Sequence, residues 1–320
     1  MHTKDDGKLT AIACLLGTML GWGCIPIFLR HFTTHLDSWT VNAVRYLVGA
    51  LFWLPFVVVL HRRHKAAGSP TAHRSVWRDA LVPTSVNVLG QVGYAVSPYF
   101  IPAPTVGFVM RLSFLFTVLF GFLFLAEERP LARRGAFWWG VAVSAAGLAL
   151  MFVGKLQVGS PRELVGVGIA AASTVAWGAY SVSVRKRMAG YPVRLSFGVI
   201  SLYTAGVLVL LMVVFGRAGR LGQLSGGLWV ALVGTGLIGV AMGHVLYYRA
   251  IHRLGPIVSS GVLLATPFVT MVGAWLSLRE RLGVVELAGG LGVVLGGAVL
   301  LVAKVQLEKD RLPTGPQPEA

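Results

Sequence analysis

The chain has 320 residues, of which 28 are Lys or Arg and 12 are Asp or Glu, so charged residues make up 12% of it, about half the share usual in soluble domains. Apolar residues reach 55%, glycine adds 40 positions and mean hydropathy is +0.73, which leaves too little polar surface to cover a water-soluble globule and excludes an ordinary soluble enzyme. The formal net charge of +16 would suggest a nucleic-acid binder in a soluble chain, but the basic residues sit in short segments between apolar runs, as membrane-surface anchors do; nucleic acid is not an expected partner.

Apolar stretches that lack acidic residues run over 9–29, 39–60, 80–99, 103–125, 136–154, 164–184, 194–215, 228–250, 256–278 and 285–303, and each is close to the length a membrane-spanning helix needs. The first is longer than the core of a signal peptide and ends without a small-residue cleavage site, so it is read as an uncleaved span. Cys14 and Cys24 fall within it, ten residues apart, too far along one helix to bridge, and imply neither a disulfide nor a metal site. The third stretch is the least regular, carrying Pro83, Asn87, Gln91 and Pro98, and needs neighbouring helices to cover its polar side. The end, Leu312 to Ala320, holds three prolines and a glycine and reads as disordered.

Nineteen of the 28 basic residues fall in segments on one side of these spans and seven on the other, with Arg45 and Arg111 inside spans. The positive-inside rule then places both termini in the cytoplasm of a multi-pass protein of the cell inner membrane, in contact with membrane lipid.

The chain also repeats itself. Gly21-Trp22-Gly23 followed by Arg30 matches Ala176-Trp177-Gly178 followed by Arg185, with eight residues from Trp to Arg in both, and Pro104 precedes Glu128-Arg129 by 24 residues just as Pro256 precedes Glu280-Arg281. The two blocks lie 82 residues apart in the first half and 79 in the second. Five helices per half is an odd number, so the second copy enters the membrane from the opposite side, which is the inverted-repeat plan of alternating-access carriers. The expected fold is an all-α integral membrane protein of ten transmembrane helices in two inverted five-helix repeats. Its organisation is a tail over 1–8, repeats over 9–154 and 164–304, and a second tail over 305–320.

The Trp-Gly pair in the first helix of each half, Arg45-Tyr46, the stretch Tyr247-Tyr248-Arg249-Ala250-Ile251, Leu254-Gly255-Pro256, Pro267 and Glu280-Arg281 together resemble the EamA-type domain of the drug/metabolite transporter superfamily, twice over, across residues 9 to 304. The first half departs from the second in carrying Leu115 where the family often has the proline seen at Pro267, and Arg111 where Leu263 stands. The resemblance implies a ten-helix carrier with a central cavity that moves amino acids or other small metabolites without a bound cofactor.

Candidate site residues follow from polar groups at depth. Arg111 lies about 12 Å below the outer boundary, too deep to snorkel, so it must face the bundle interior, a watery cavity or an anion. No Asp or Glu lies well inside any span, which favours a mobile anion such as a substrate carboxylate, against a structural arginine satisfied by carbonyls. Asn87, Gln91 and Tyr94 share one helix face, near the depth of Arg111, as ligand contacts or as interhelical glue. Arg45 lies about 9 Å deep and is the second anion candidate. Trp22, Trp177 and Tyr180 lie away from the interfaces where membrane aromatics concentrate; such rings ordinarily pack, and their matched placement suits cavity walls. His244, with Tyr247 and Tyr248 one turn on, is the proton-coupling candidate, against a hydrogen-bonded structural role. Ser259, Thr266 and Thr270 form a polar stripe.

Several chemistries are excluded. Glu128 and Glu280 end helices on opposite sides of the membrane and cannot act as a dyad, and no Gly-Lys-Ser/Thr loop supports ATP hydrolysis. The sequence therefore reads as a secondary transporter for a small metabolite, an amino acid or organic acid with an anionic group, with no cofactor and no metal; a homodimer is compatible with it. A broad exporter of apolar or aromatic compounds is the alternative. A membrane-embedded lipid-modifying enzyme would need clustered acid-base groups near an interface, which are not there.

Overall fold

The computed structural model of the protein describes residues 2–66, 74–158, 160–247, 249–250 and 262–310. Ten long helices carry these residues: α1 (His2–Phe32), α2 (Ser38–Ala66), α3 (Leu81–Val96), α4 (Ala103–Phe124), α5 (Gly135–Val158), α6 (Pro161–Arg187), α7 (Val193–Phe215), α8 (Gly226–Tyr247), α9 (Thr266–Leu278) and α10 (Val284–Asp310). Eight are long and apolar enough to cross a bilayer. The other two are α3, with 16 residues extended by a 3-10 turn over Ser97–Tyr99, and α9, with 13. Pro83 costs α3 no internal hydrogen bond because it falls in the first turn, where the N–H would be unpaired anyway. The expected span 256–278 is described only from residue 262; Tyr248, Ser259 and the terminal segment Leu312 to Ala320 lie outside the described residues.

Two helices are irregular where the sequence reads as continuous. The α4 helix is two pieces, Ala103–Val109 and Leu112–Phe124, joined through Met110 and Arg111. The α8 helix passes through a π-helical segment over Leu237–Met242, a wider turn that often accompanies functional positions.

Helix ends are set by local chemistry. The Asp37 carboxylate accepts from Thr40 N at 2.9 Å and Thr40 Oγ1 at 2.8 Å, capping α2, and from Arg217 N at 2.9 Å, which ties the α1–α2 turn to the end of α7. Ser225 accepts from Leu228 N at the start of α8, and Pro161 opens α6 at a position where its missing N–H is harmless. Arg279 closes α9 in the left-handed region, at φ 58, a cap usually left to glycine.

The contacts repeat with the halves exchanged. The α5 and α10 helices pack along their length, with Gly140 against Gly296 and Gly147 against Gly289, an antiparallel crossing so close that backbone meets backbone. The α2 and α7 helices pair in the same antiparallel sense, from Val57 beside Gly198 to Thr40 beside Gly216. The first helix of each half reaches into the other half: α1 packs on α9 and α8 as well as on α4, and α6 on α3 and α4. Gly23 seats Val269 and Gly178 seats Phe116 and Thr117. Such exchanged pairs are what inverted repeats related by a two-fold axis in the membrane plane produce. Outward, Val213 is 72% and Val230 75% exposed, and these apolar side chains form the lipid-facing surface.

Candidate functional site

The buried polar residues of α2, α3 and α4 converge in the middle of the bundle. Arg45 is 3% exposed, and its Nε and Nη1 have no hydrogen-bond partner among the described residues. Its Nη2 occupies space left by Gly239, where an added Cβ would stand 3.1 Å away. The next residue, Tyr46, lies beside the side chains of Asn87 and Gln91, which share a face of α3. Asn87 Nδ2 also donates to Thr204 Oγ1 at 3.0 Å, and Asn42 Nδ2 donates to the Gln91 carbonyl at 3.1 Å. Asn42 Oδ1 is buried without a partner among the described residues, one helical turn from Arg45 on the same face.

Arg111 stands at the break in α4. Its Nη1 donates to the Leu263 carbonyl at 2.9 Å while its Nε is buried without a partner among the described residues. Leu263 is the residue that the repeat places opposite Arg111, so this bond crosses the pseudo-two-fold axis. Tyr94 and Tyr247 lie near the Arg111 guanidinium, and Tyr94 and Tyr46 near that of Arg45. No carboxylate forms an ion pair with either arginine among the described residues.

Around this cluster the aromatic side chains form two matched pairs. Tyr94 meets Trp177 with ring centroids 5.1 Å apart, and Tyr247 meets Trp22 at 5.5 Å. Each Trp lies against a glycine of the opposite half, Trp177 on Gly90 and Trp22 on Gly243, which explains why small residues are needed there. The Trp22 indole N–H donates to the Gly239 carbonyl in the π-helical segment at 3.2 Å. His244 stacks on Phe197 at 4.1 Å and meets the edge of Trp22 at 5.2 Å, with its Nδ1 3.2 Å from the Val240 carbonyl.

The structure thus brings Arg111, Arg45, Asn87, Gln91, Tyr94, Trp177, Trp22 and His244 into one connected region. Tyr180 stands apart, lining a cavity of about 290 Å³ at the Arg185 end of α6, together with Tyr191, Phe197 and Ile200 of the facing turn and helix. Thr270 donates to the Gly23 carbonyl at 2.7 Å and Thr266 to the Leu263 carbonyl at 2.6 Å, so these two members of the polar stripe serve helix packing. Among the described residues no group of three or more His, Cys, Asp or Glu is placed to hold a metal.

Three contributors escaped the sequence reading: Asn42, Phe197 and the Arg30–Glu280 pair. Arg30 Nε donates to Glu280 Oε1 at 2.6 Å and its Nη1 to the Pro98 carbonyl at 2.6 Å, while Glu280 Oε2 accepts from Ala103 N at 2.8 Å. One residue pair therefore clamps α1, the α3 end, the α4 start and the α9 end together. Applying the repeat offset to every polar residue, rather than to the tryptophans alone, would have flagged Asn42 and Phe197 as a mismatched pair.

A model of the EamA-like transporter family matches residues 9–153 and again 164–303. The chain belongs to the EamA-like transporter family. It is a membrane transporter with two EamA domains and not an enzyme. An uncharacterized transporter of Clostridium kluyveri is 26% identical over 275 residues, covering 82% of this chain and 83% of that protein. A crystal structure at 19% identity, covering 94% of this EamA chain and 99% of the other, superposes with a TM-score of 0.59, which establishes a shared fold.

Proposed function

We propose that the protein is a secondary carrier that moves a small metabolite with an anionic group, an amino acid or organic acid, across the cell inner membrane by rocking its two repeats about the central cluster. Both termini face the cytoplasm in this reading, in keeping with the distribution of Lys and Arg. The observation that carries the proposal is the pair Arg45 and Arg111: two guanidinium groups in the bundle interior, with buried N–H donors left unpaired and no carboxylate set against them among the described residues. A buried, uncompensated cation is costly, and an anionic substrate supplies the missing charge. The unpartnered Asn42 Oδ1 offers an acceptor to an ammonium group, so an α-amino acid fits as well as a simple acid.

The test is a metabolite screen in proteoliposomes with and without imposed pH and sodium gradients, followed by the Arg111 variants on the substrate found. Losing one charge-assisted contact should weaken binding by about 1.5–3 kcal/mol, roughly ten- to a hundredfold. Arg111→Lys keeps the charge without the bidentate fork and should fall between the parent and Arg111→Gln. Folded Arg111→Gln that binds the substrate as tightly as the parent would assign Arg111 to the Leu263 carbonyl alone and overturn the proposal.

A further inference from the structure

We infer that the central cluster is divided into two half-sites related by the repeat, a polar one that takes the anionic group and an aromatic one that takes a flat apolar group, so that the substrate is a carboxylate bearing an aromatic or similarly planar substituent. The inference rests on the proposed anion site and adds the chemistry of the remainder of the ligand.

The repeat offset is 155 residues at Trp22 and Trp177 and 153 at Tyr94 and Tyr247, and the contacts keep close to it through the helices between. It sets the pair Asn42–Gln91, joined by a 3.1 Å hydrogen bond, against the pair Phe197–His244, stacked at 4.1 Å. It likewise sets Arg45 against Ile200, Tyr46 against Ser201 and Asn87 against Val240. The aromatic pairs Tyr94–Trp177 and Tyr247–Trp22 are kept in both halves. Symmetry has thus been preserved in the framework and broken in the residues between: one half is hydrogen-bonding and cationic, the other is ring-faced and aliphatic.

Three further observations place a ligand across the two. Arg111 is bonded to the carbonyl of its own counterpart Leu263 and lies near Tyr94 of one half and Tyr247 of the other. The α8 helix is π-helical at Leu237–Met242, beside the aromatic half-site, whereas α3 is regular at the matching turn. The cavity of about 290 Å³ at the Arg185 end of α6 counts Phe197 and Ile200 among its lining residues, so open space adjoins the aromatic half. A planar ring offered to Phe197 and His244 gains offset-stacking contacts on top of its burial, while its carboxylate reaches the arginines.

Isothermal titration of the detergent-solubilised protein with phenylacetate, acetate and phenylacetamide tests this. Phenylacetate should bind about ten- to a hundredfold more tightly than acetate, as burying a ring implies, and more tightly than the neutral amide. Phe197→Asn, which installs the residue of the other half, should reduce the phenylacetate-to-acetate preference to less than threefold; Phe197→Leu, which keeps the bulk, should give an intermediate preference and guards against misfolding. Equal binding of phenylacetate and acetate by the parent overturns the aromatic half-site and leaves the anion site standing. Equal binding of phenylacetate and phenylacetamide, or binding of none of the three, removes the anion site and this inference with it. A preference that survives in Phe197→Asn overturns the assignment to Phe197 and His244.

Discussion

Replacing Glu280 with glutamine removes one charge from the clamp at the Arg30 end of the bundle and should raise the population in which that end is open. The parent geometry has Glu280 accepting from Arg30 Nε at 2.6 Å and from Ala103 N at 2.8 Å. A hydrogen bond to a charged partner contributes about 1.5–3 kcal/mol. The side chains are 32% and 15% exposed, so solvent screening reduces the expected loss to about 1–2 kcal/mol, a factor of about 5–30 in the equilibrium. Ser97 is a suitable reporter because it is fully buried beneath the clamp, next to Pro98, whose carbonyl receives Arg30. In a background lacking Cys14 and Cys24, the maleimide labelling rate of Ser97→Cys tracks the open population and should rise by that factor when Glu280→Gln is added. If adding Glu280→Gln leaves the labelling rate unchanged, the clamp does not hold this end shut.

The Asp37 carboxyl is pushed up by burial, but its hydrogen bonds from Thr40 and the Arg217 N–H outweigh this and hold it below its ordinary value of 3.8; the stabilisation is therefore complete above that value and lost as pH falls through the lower folded-state value. Asp37→Asn, which weakens the hydrogen bonds from Thr40 and the Arg217 N–H, should cost about 1 kcal/mol at neutral pH in thermal unfolding, and the gap between variant and parent should close in acid. An added Cβ at Gly147 meets the Gly289 carbonyl and Val293 N, both backbone, at 2.6 Å, whereas at Gly168 it meets nothing within 4 Å. Gly147→Ala should accordingly lower the melting temperature as overpacking does, by about 1–3 kcal/mol, while Gly168→Ala should be neutral or stabilising by up to about 1 kcal/mol. Single cysteines at the exposed positions Ala189 and Gly222, again without Cys14 and Cys24, test orientation: an impermeant reagent on intact cells should label Gly222→Cys alone, and labelling of Ala189→Cys instead reverses the assignment.

Hydropathy made the helices legible because a membrane span must satisfy its backbone internally over a fixed length, and the Trp-Arg and Pro-Glu spacings made the two halves legible. Arg45 and Arg111 stood out because a cation at depth has no bland surroundings. The broken turn at Met110-Arg111 and the π-helical segment in α8 were hidden, since an apolar run does not signal where a helix departs from regular turns. Phe197 was hidden for a different reason: a phenylalanine in an apolar span carries no local signal, and only its position opposite Asn42 distinguishes it. Asn87 and Gln91 were readable as a pair, but the Asn87 bond to Thr204 was not, because that hydroxyl belongs to another helix.

The exchange of first helices between the halves has a consequence for biogenesis. Gly23 of α1 packs on Val269 and Gly49 of α2 on Val240, so the early helices find their final neighbours only after most of the remaining chain has been made. At about 5–20 residues per second, α1 and α2 wait roughly 10–50 s in the bilayer, with Arg45 and Trp22 lacking the α8 surface that later receives them. The first five helices thus reach their final packing only once α8 and α9 have been inserted.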